Sequence, residues 1–182
     1  MEVVYHFSKP QLKWNSKGHW RSSMASTSWD WLFNRGSLTH RLKVLSDDEF
    51  KVIPLREEPG PLLPDECRLL GVRPGVMGWI REVYLAGFGR PWIYARSVVA
   101  QHDPDSSVSA LCNLGDVSLG SLLFGDTPYQ RGEIEVCRYP DACNASSRPA
   151  YPLWARRSVF RRGHVRVLVH EMFLPALWEE LS

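Results

Sequence analysis

The feature that most constrains this chain is an alternation that no helix can accommodate. From Met77 to Leu85, large apolar residues occupy four of the five alternate positions (Met77, Trp79, Val83, Leu85). The run stops at Gly87-Phe88-Gly89-Arg90-Pro91, and a second apolar stretch follows from Trp92 to Val99. A period of two marks a strand with one buried face, and a glycine-rich turn between two such runs predicts an antiparallel hairpin. Further strands are predicted over 133–138, 153–160 and 165–174, the last two joined through Arg161-Arg162-Gly163-His164. Runs of strands with helical segments at one end predict a single α+β domain on an antiparallel sheet. There is no βαβ rhythm, no GxGxxG, no GxxxxGK[ST] and no internal repeat, which excludes the nucleotide-binding folds those patterns mark.

Two charges break the alternation. On one face of the 77–85 strand, Arg81 is the only charge among Met77, Trp79, Val83 and Leu85; on one face of the last strand, Glu171 stands alone among Val165, Val167, Val169 and Phe173. An ionised group pointing into an apolar layer is costly unless paired. The simplest inference is one cavity shared by both groups. Two readings fit: a buried ion pair with no chemical role, or a pocket for a small anion, with arginine forking onto a carboxylate and glutamate accepting a hydrogen bond from a hydroxyl. Arg96 is a second candidate cation, on a face with Trp92, Tyr94 and Val98.

The remaining segments are less patterned. A helix is predicted from Ser28, interrupted at Gly36 and restarted at Ser37, a suitable N-cap. Residues 48–55 read as a strand, and Pro59, Pro61 and Pro64 then predict an extended loop. A short helix is expected at 119–124. At 182 residues the chain suits one domain, with a tryptophan-rich N-terminal arm at 1–27 ahead of a domain at 28–182. That arm is basic, holding most of the seven Lys and Arg that precede Val44, but no nucleic-acid motif organises it; its aromatics are expected to pack onto the domain.

Composition narrows the class. Twenty-two Lys and Arg against 20 Asp and Glu leave a net charge of +2, too little to predict nucleic-acid or anionic-membrane binding. No segment has the length and apolarity of a membrane span or a signal peptide, so a cytoplasmic protein is expected. Cys67, Cys112, Cys137 and Cys143 form no CxxC, so free thiols are expected, with neither a zinc site nor a disulfide framework. Other catalytic constellations are weak. No GxSxG supports a Ser/His/Asp triad, His170 points to the face opposite Glu171, and Glu133 with Glu135 reads as a solvated edge.

In order along residues 28–176, the chain carries Trp31-Leu32, Ser37-Leu38-Thr39-His40-Arg41-Leu42, Trp79-Ile80-Arg81-Glu82-Val83, Pro91-Trp92 through Ala95-Arg96-Ser97-Val98-Val99, Leu114-Gly115, Leu119-Gly120-Ser121-Leu122-Leu123-Phe124, Leu153-Trp154-Ala155-Arg156-Arg157-Ser158 and Glu171-Met172-Phe173-Leu174-Pro175. Together, at this spacing, these strings resemble the chorismate pyruvate-lyase family, which makes 4-hydroxybenzoate for ubiquinone synthesis. The resemblance implies a six-stranded antiparallel sheet with helices covering a buried ligand, a monomer, and chemistry that needs no metal or organic cofactor. It implies that Arg81 binds the ring carboxylate and Glu171 meets the ring hydroxyl, with Leu38 and the backbone at Leu119 contacting substrate. Arg96 is assigned to the leaving enolpyruvyl carboxylate. Some members carry Met at the position of Leu38 and Gly at those of Ala95 and Ala155. The alternative class is a non-catalytic small-ligand domain of the UTRA type, which resembles the same fold; turnover of chorismate discriminates the two.

Overall fold

The computed structural model describes residues 12–182 except 22, 101–108, 110, 113 and 139–152. Cys143 and the first eleven residues of the N-terminal arm lie outside the described residues; Cys67, Cys112 and Cys137 are free thiols.

The hairpin predicted at the centre of the chain is the core of the sheet. Strands β2 (Met77–Gly87) and β3 (Arg90–Ala100) pair antiparallel, with Arg81 opposite Ser97 and Val83 opposite Ala95. Their turn places Phe88 and Gly89 at φ 50° and 71°, so both central residues take the positive φ of a tight two-residue hairpin. Outside β2 lies β1 (Phe50–Pro61); outside β3 lie β7 (Val165–Phe173) and then β6 (Trp154–Arg162). The far edge of β6 is shared by two short strands, β4 (Gln130–Arg131) and β5 (Glu135–Arg138).

The sheet therefore has seven strands rather than the six expected. The strand expected over 133–138 is β5, and the extra one is β4, two residues at 130–131 ahead of the predicted segment. Gly132 keeps contact with β6 through its N–H, which donates to the Val159 carbonyl at 2.8 Å, but pairing lapses until Glu135. The other departure concerns the prolines. β1 runs through Pro54, Pro59 and Pro61, because an edge strand pairs on one side only and tolerates residues that lack an N–H. Pro64 then opens a helix, α3 (Pro64–Leu70), the first-turn position where proline's fixed φ is favourable.

Both faces of the sheet are covered. On one face α1 (Ser26–Phe33), α2 (Leu38–Leu45) and the C-terminal α5 (Pro175–Glu180) bury Leu85, Ile93, Trp154 and Phe173. The short helix α4 (Leu119–Leu123) closes a second apolar cluster around Phe160, Val167 and Val169 toward the other end of that face. Ser37 caps α2 as expected, its Oγ accepting from the His40 N–H. On the opposite face α3 packs on Ile80, Val98 and Leu168, and Trp14 on the cluster of Tyr94, Leu153 and Met172. The described part of the N-terminal arm is thus packed by its tryptophans: Trp20 meets Trp154 edge to face at 5.0 Å and donates to the Val136 carbonyl. The boundary drawn at residue 28 falls inside α1, which begins at Ser26.

One glycine is required by packing. A Cβ at Gly87 would stand 2.2 Å from the ring of Trp92, which is fully buried. Gly87→Ala is expected to destabilise the domain by about 1–3 kcal/mol through overpacking, read as a lower urea midpoint at constant m; an unchanged midpoint would show that this corner repacks freely.

Candidate active site

The register brings the two out-of-place charges onto one face. Arg81 on β2 is opposite Ser97 on β3, and Glu171 on β7 is opposite Ala95, so both side chains share the face covered by α1, α2 and α4. Both line one cavity, between the two apolar clusters of that face, together with Leu38, Val83, Ala95, Leu119 and Arg131. Its unfilled space amounts to about 540 Å³, part of it open to solvent. Leu38 and Leu119 enter it from α2 and α4, whose N-terminal ends are joined across the cavity mouth by a 2.7 Å hydrogen bond between Thr39 Oγ1 and Ser118 Oγ. Gly120 allows that approach, since a Cβ there would fall 2.8 Å from Thr39 Oγ1.

At one end, Arg81 is 4% exposed and tied to the chain that leads into α4. Its Nη2 donates to the carbonyls of Gly115 and Val117, both at 2.9 Å. The half-buried Glu57, directly opposite on β1, lies 3.4 Å from Nε and accepts from the N–H groups of Leu114 and Gly115. Nε itself is buried without a hydrogen bond. Burial pulls the guanidinium pKa below its ordinary value and Glu57 opposes that shift, so the group remains a cation at neutral pH.

At the other end, Glu171 is held by two arginines that the alternation did not single out. Arg156 stands directly opposite it on β6 and donates from Nε to Glu171 Oε2 at 2.5 Å. Its Nη1 reaches the carbonyls of Trp31, Leu32 and Asn34 at the C-terminal end of α1, where helix carbonyls lack intrahelical partners. Arg131, from β4, lies 3.6 Å from the same carboxylate oxygen. Burial alone would raise the Glu171 pKa, but Arg156 and then Arg131 outweigh it, and the carboxyl sits below its ordinary value. The cavity therefore offers a cation at one end and a carboxylate held ionised at the other, a polar pair suited to a small anion that also carries a hydroxyl.

Arg96 is not part of this constellation. The residue next to Ala95 on β3 must face the other way, and Arg96 lies under α3 on the opposite side of the sheet. There it grips Glu66 with two bonds of 2.8 and 3.1 Å and Glu82 with a third of 2.8 Å. Its assignment to a leaving carboxylate is corrected accordingly: it is a structural cation between Glu66 and Glu82, and on the same face Arg157 pairs separately with Asp65 and Glu135. His170, on this same face, is fully buried, and burial followed by the charges of Arg157 and Arg96 keeps its pKa well below the usual imidazole value. Among the described residues no three His, Cys, Asp or Glu groups converge as metal ligands.

An antiparallel sheet with a charged cavity closed by two short helices defines a class of small-ligand domains, and comparison with known proteins narrows it. The family model described as chorismate lyase matches residues 11–182. A protein of Pseudomonas putida named probable chorismate pyruvate-lyase is 61% identical over 182 residues, covering all of both chains. A second relative with that name, from Pseudomonas aeruginosa, is 52% identical over 159 residues, 87% of this chain and 89% of its own. The chain belongs to the chorismate lyase family, a family of enzymes. Among solved structures it shares its fold with the effector domain of PhnF from Mycobacterium smegmatis (TM-score 0.53, 15% identity, 77% of this chain and 89% of the other). The longer PhnF chain of the same organism gives a TM-score of 0.54 at 16% identity, covering 77% and 64%. No helix of the described residues is long and apolar enough to cross a membrane.

Two predictions follow from the charges. Replacing Arg96 by Ala leaves Glu66 buried without its cation, at an expected cost of about 3–5 kcal/mol in chemical denaturation. A loss below 1 kcal/mol would return Arg96 to the list of ligand-binding candidates. The second concerns pH. An unfolded Glu titrates near about 4.3, whereas Glu171 stays ionised lower in the folded state, so its contribution to stability is complete above about pH 4.3 and is lost as pH falls through the depressed folded value. Urea midpoints measured from pH 7 to pH 3 should fall less steeply at the acid end for Glu171→Gln than for the wild type; parallel curves would show that the carboxyl is not held ionised.

Proposed function

We propose that the protein is a chorismate pyruvate-lyase, converting chorismate to 4-hydroxybenzoate and pyruvate. The observation that carries this reading is the placement of Arg81 and Glu171 on one face of the sheet, two strands apart, in a single largely apolar cavity. Two strand spacings, combined with the two-residue offset between Ser97 and Ala95, put the two Cα atoms roughly 12 Å apart, the scale of a para-substituted six-membered ring with a hydrogen bond at either end. Arg81 anchors the ring carboxylate, and Glu171 accepts a hydrogen bond from the hydroxyl para to it. Leu38 and Leu119 form apolar walls, and the joined ends of α2 and α4 shield the ring from water.

The reaction asks for positioning more than for acid–base chemistry. The ether C–O bond at C3 of the ring breaks, the hydrogen on C4 passes to the CH2 carbon of the enolpyruvyl group, the ether oxygen becomes the keto oxygen of pyruvate, and the ring gains its third double bond. Aromatisation drives the step, and every atom it needs is in the substrate, so the residues present suffice without a cofactor. A carboxylate held at low pKa by Arg156 and Arg131 is a weak base, so Glu171 orients the hydroxyl-bearing carbon rather than abstracting a proton. Binding the ring in a reactive geometry within a water-poor cavity is the catalytic contribution. On this reading the protein acts as a cytoplasmic monomer at the entry step of ubiquinone synthesis.

The test is to mix purified protein with chorismate and follow both products. Equal amounts of 4-hydroxybenzoate and pyruvate are expected, with kcat/KM falling about 10- to 100-fold in Arg81→Ala and in Glu171→Ala, the worth of one charged hydrogen bond. Full activity in Arg81→Ala would overturn the site assignment. Tight 4-hydroxybenzoate binding without turnover in the wild type would make the protein a binder on a lyase fold.

A further inference from the structure

The cation at the Glu171 end of the cavity is left over by the ion pairing. Arg156 and Arg131 both approach a single carboxylate, so two buried positive charges face one negative charge. The two arginines are not equivalent. Arg156 is the more firmly held, with a short bond from Nε to Glu171 and bonds of 3.0–3.3 Å from Nη1 to three carbonyls, and it is 1% exposed. Arg131 has one good hydrogen bond, from Nε to Ser158 Oγ at 2.9 Å. Its Nη1 contacts with the carbonyls of Asn34, Arg35 and Gly36 are stretched to 3.4–3.5 Å, and its Nη2 stands 3.6 Å from Glu171, beyond hydrogen-bond length. The side chain lies over the Phe160 ring at 5.0 Å, which fixes its plane, and it lines the cavity itself. A buried guanidinium with stretched contacts, beside a carboxylate already satisfied by another arginine, is a site for a second anion.

Resting on the proposed lyase activity, we infer that Arg131 binds the enolpyruvyl carboxylate of the substrate. The covalent structure of that substrate supplies the geometry. The ether carbon C3 is bonded to the hydroxyl-bearing carbon C4, so when the hydroxyl sits on Glu171 the side chain and its carboxylate lie beside Glu171, on the side away from Arg81. Arg131 is the cavity-lining cation there. The two carboxylates of chorismate are then read by two different arginines, Arg81 at the ring and Arg131 at the departing group. Because 4-hydroxybenzoate lacks the second carboxylate, Arg131 distinguishes substrate from product, and its hold on the ligand ends when pyruvate leaves. Burial and the neighbouring Arg156 lower the Arg131 pKa to about 10, and the group is still charged at neutral pH.

The test separates the two ligands. Turnover of chorismate and the Kd of 4-hydroxybenzoate are measured for the wild type, Arg131→Gln, Arg131→Lys and Arg81→Gln. Arg131→Gln should lose about 10- to 100-fold in kcat/KM, with KM raised, while its 4-hydroxybenzoate Kd changes less than about threefold, because Glu171 keeps its hydrogen bond from Arg156. Arg81→Gln should weaken both ligands. Arg131→Lys, which keeps the charge but not the fork, should fall between wild type and Arg131→Gln, and carries the test if the Gln variant does not fold. Equal losses for chorismate and 4-hydroxybenzoate in the Arg131 variants would overturn the inference, making Arg131 only a support for Glu171; so would unchanged turnover. If the wild type binds 4-hydroxybenzoate but releases no pyruvate, the lyase reading itself falls, and this inference with it.

Discussion

The ionised carboxylate of Glu171 on the apolar face of the sheet is the constraint around which the rest of the site is arranged. A lone carboxylate among Val167, Val169 and Phe173 would be protonated or would disrupt the sheet; it is tolerated because Arg156 faces it across the β6–β7 ladder at 2.5 Å. Arg156 in turn fixes the end of α1 by taking up three of its free carbonyls, and Arg131 lies against the turn that leads from α1 into α2. The helix that supplies Leu38 to the cavity is therefore positioned through the same carboxylate. One buried charge thus organises a cavity wall and a helix end together.

The opposite end shows the same economy with different parts. Arg81 and Glu57 pair across β1 and β2, and each also holds the backbone at 114–117, the segment that delivers Leu119 and α4. The cavity is roofed by two short helical segments, each fastened to the sheet by a buried or half-buried charge and joined to the other by Thr39 and Ser118. The face under α3 is charged too, but its Arg96, Glu66 and Glu82 pair with one another and do not line the cavity that holds Arg81 and Glu171.

How much of this is legible in the sequence depends on strand length. β2 and β7 are long enough for alternation to expose Arg81 and Glu171 as out of place, and the structure brings them into one cavity. Arg156 is in plain view within Trp154-Ala155-Arg156-Arg157-Ser158, but its partnership with Glu171 depends on the β6–β7 register. Arg131 sits on a two-residue strand, where no period exists to mark it. Arg96 illustrates how unforgiving register is: once Arg81 is opposite Ser97, its neighbour on β3 belongs to the other face, because a shift of one residue exchanges the two sides of a strand. The prolines of β1 and α3 misled for a related reason, since their effect depends on whether the strand is an edge and on where a helix begins.

The central claim is that Arg81 and Glu171 hold the two ends of one ring. The most direct measurement is a crystal structure of the protein with 4-hydroxybenzoate bound. The account predicts the ring between Leu38 and Leu119, its carboxylate within hydrogen-bond distance of Arg81 and its hydroxyl on Glu171. A ring bound in the reverse sense, or at another cavity, would contradict it.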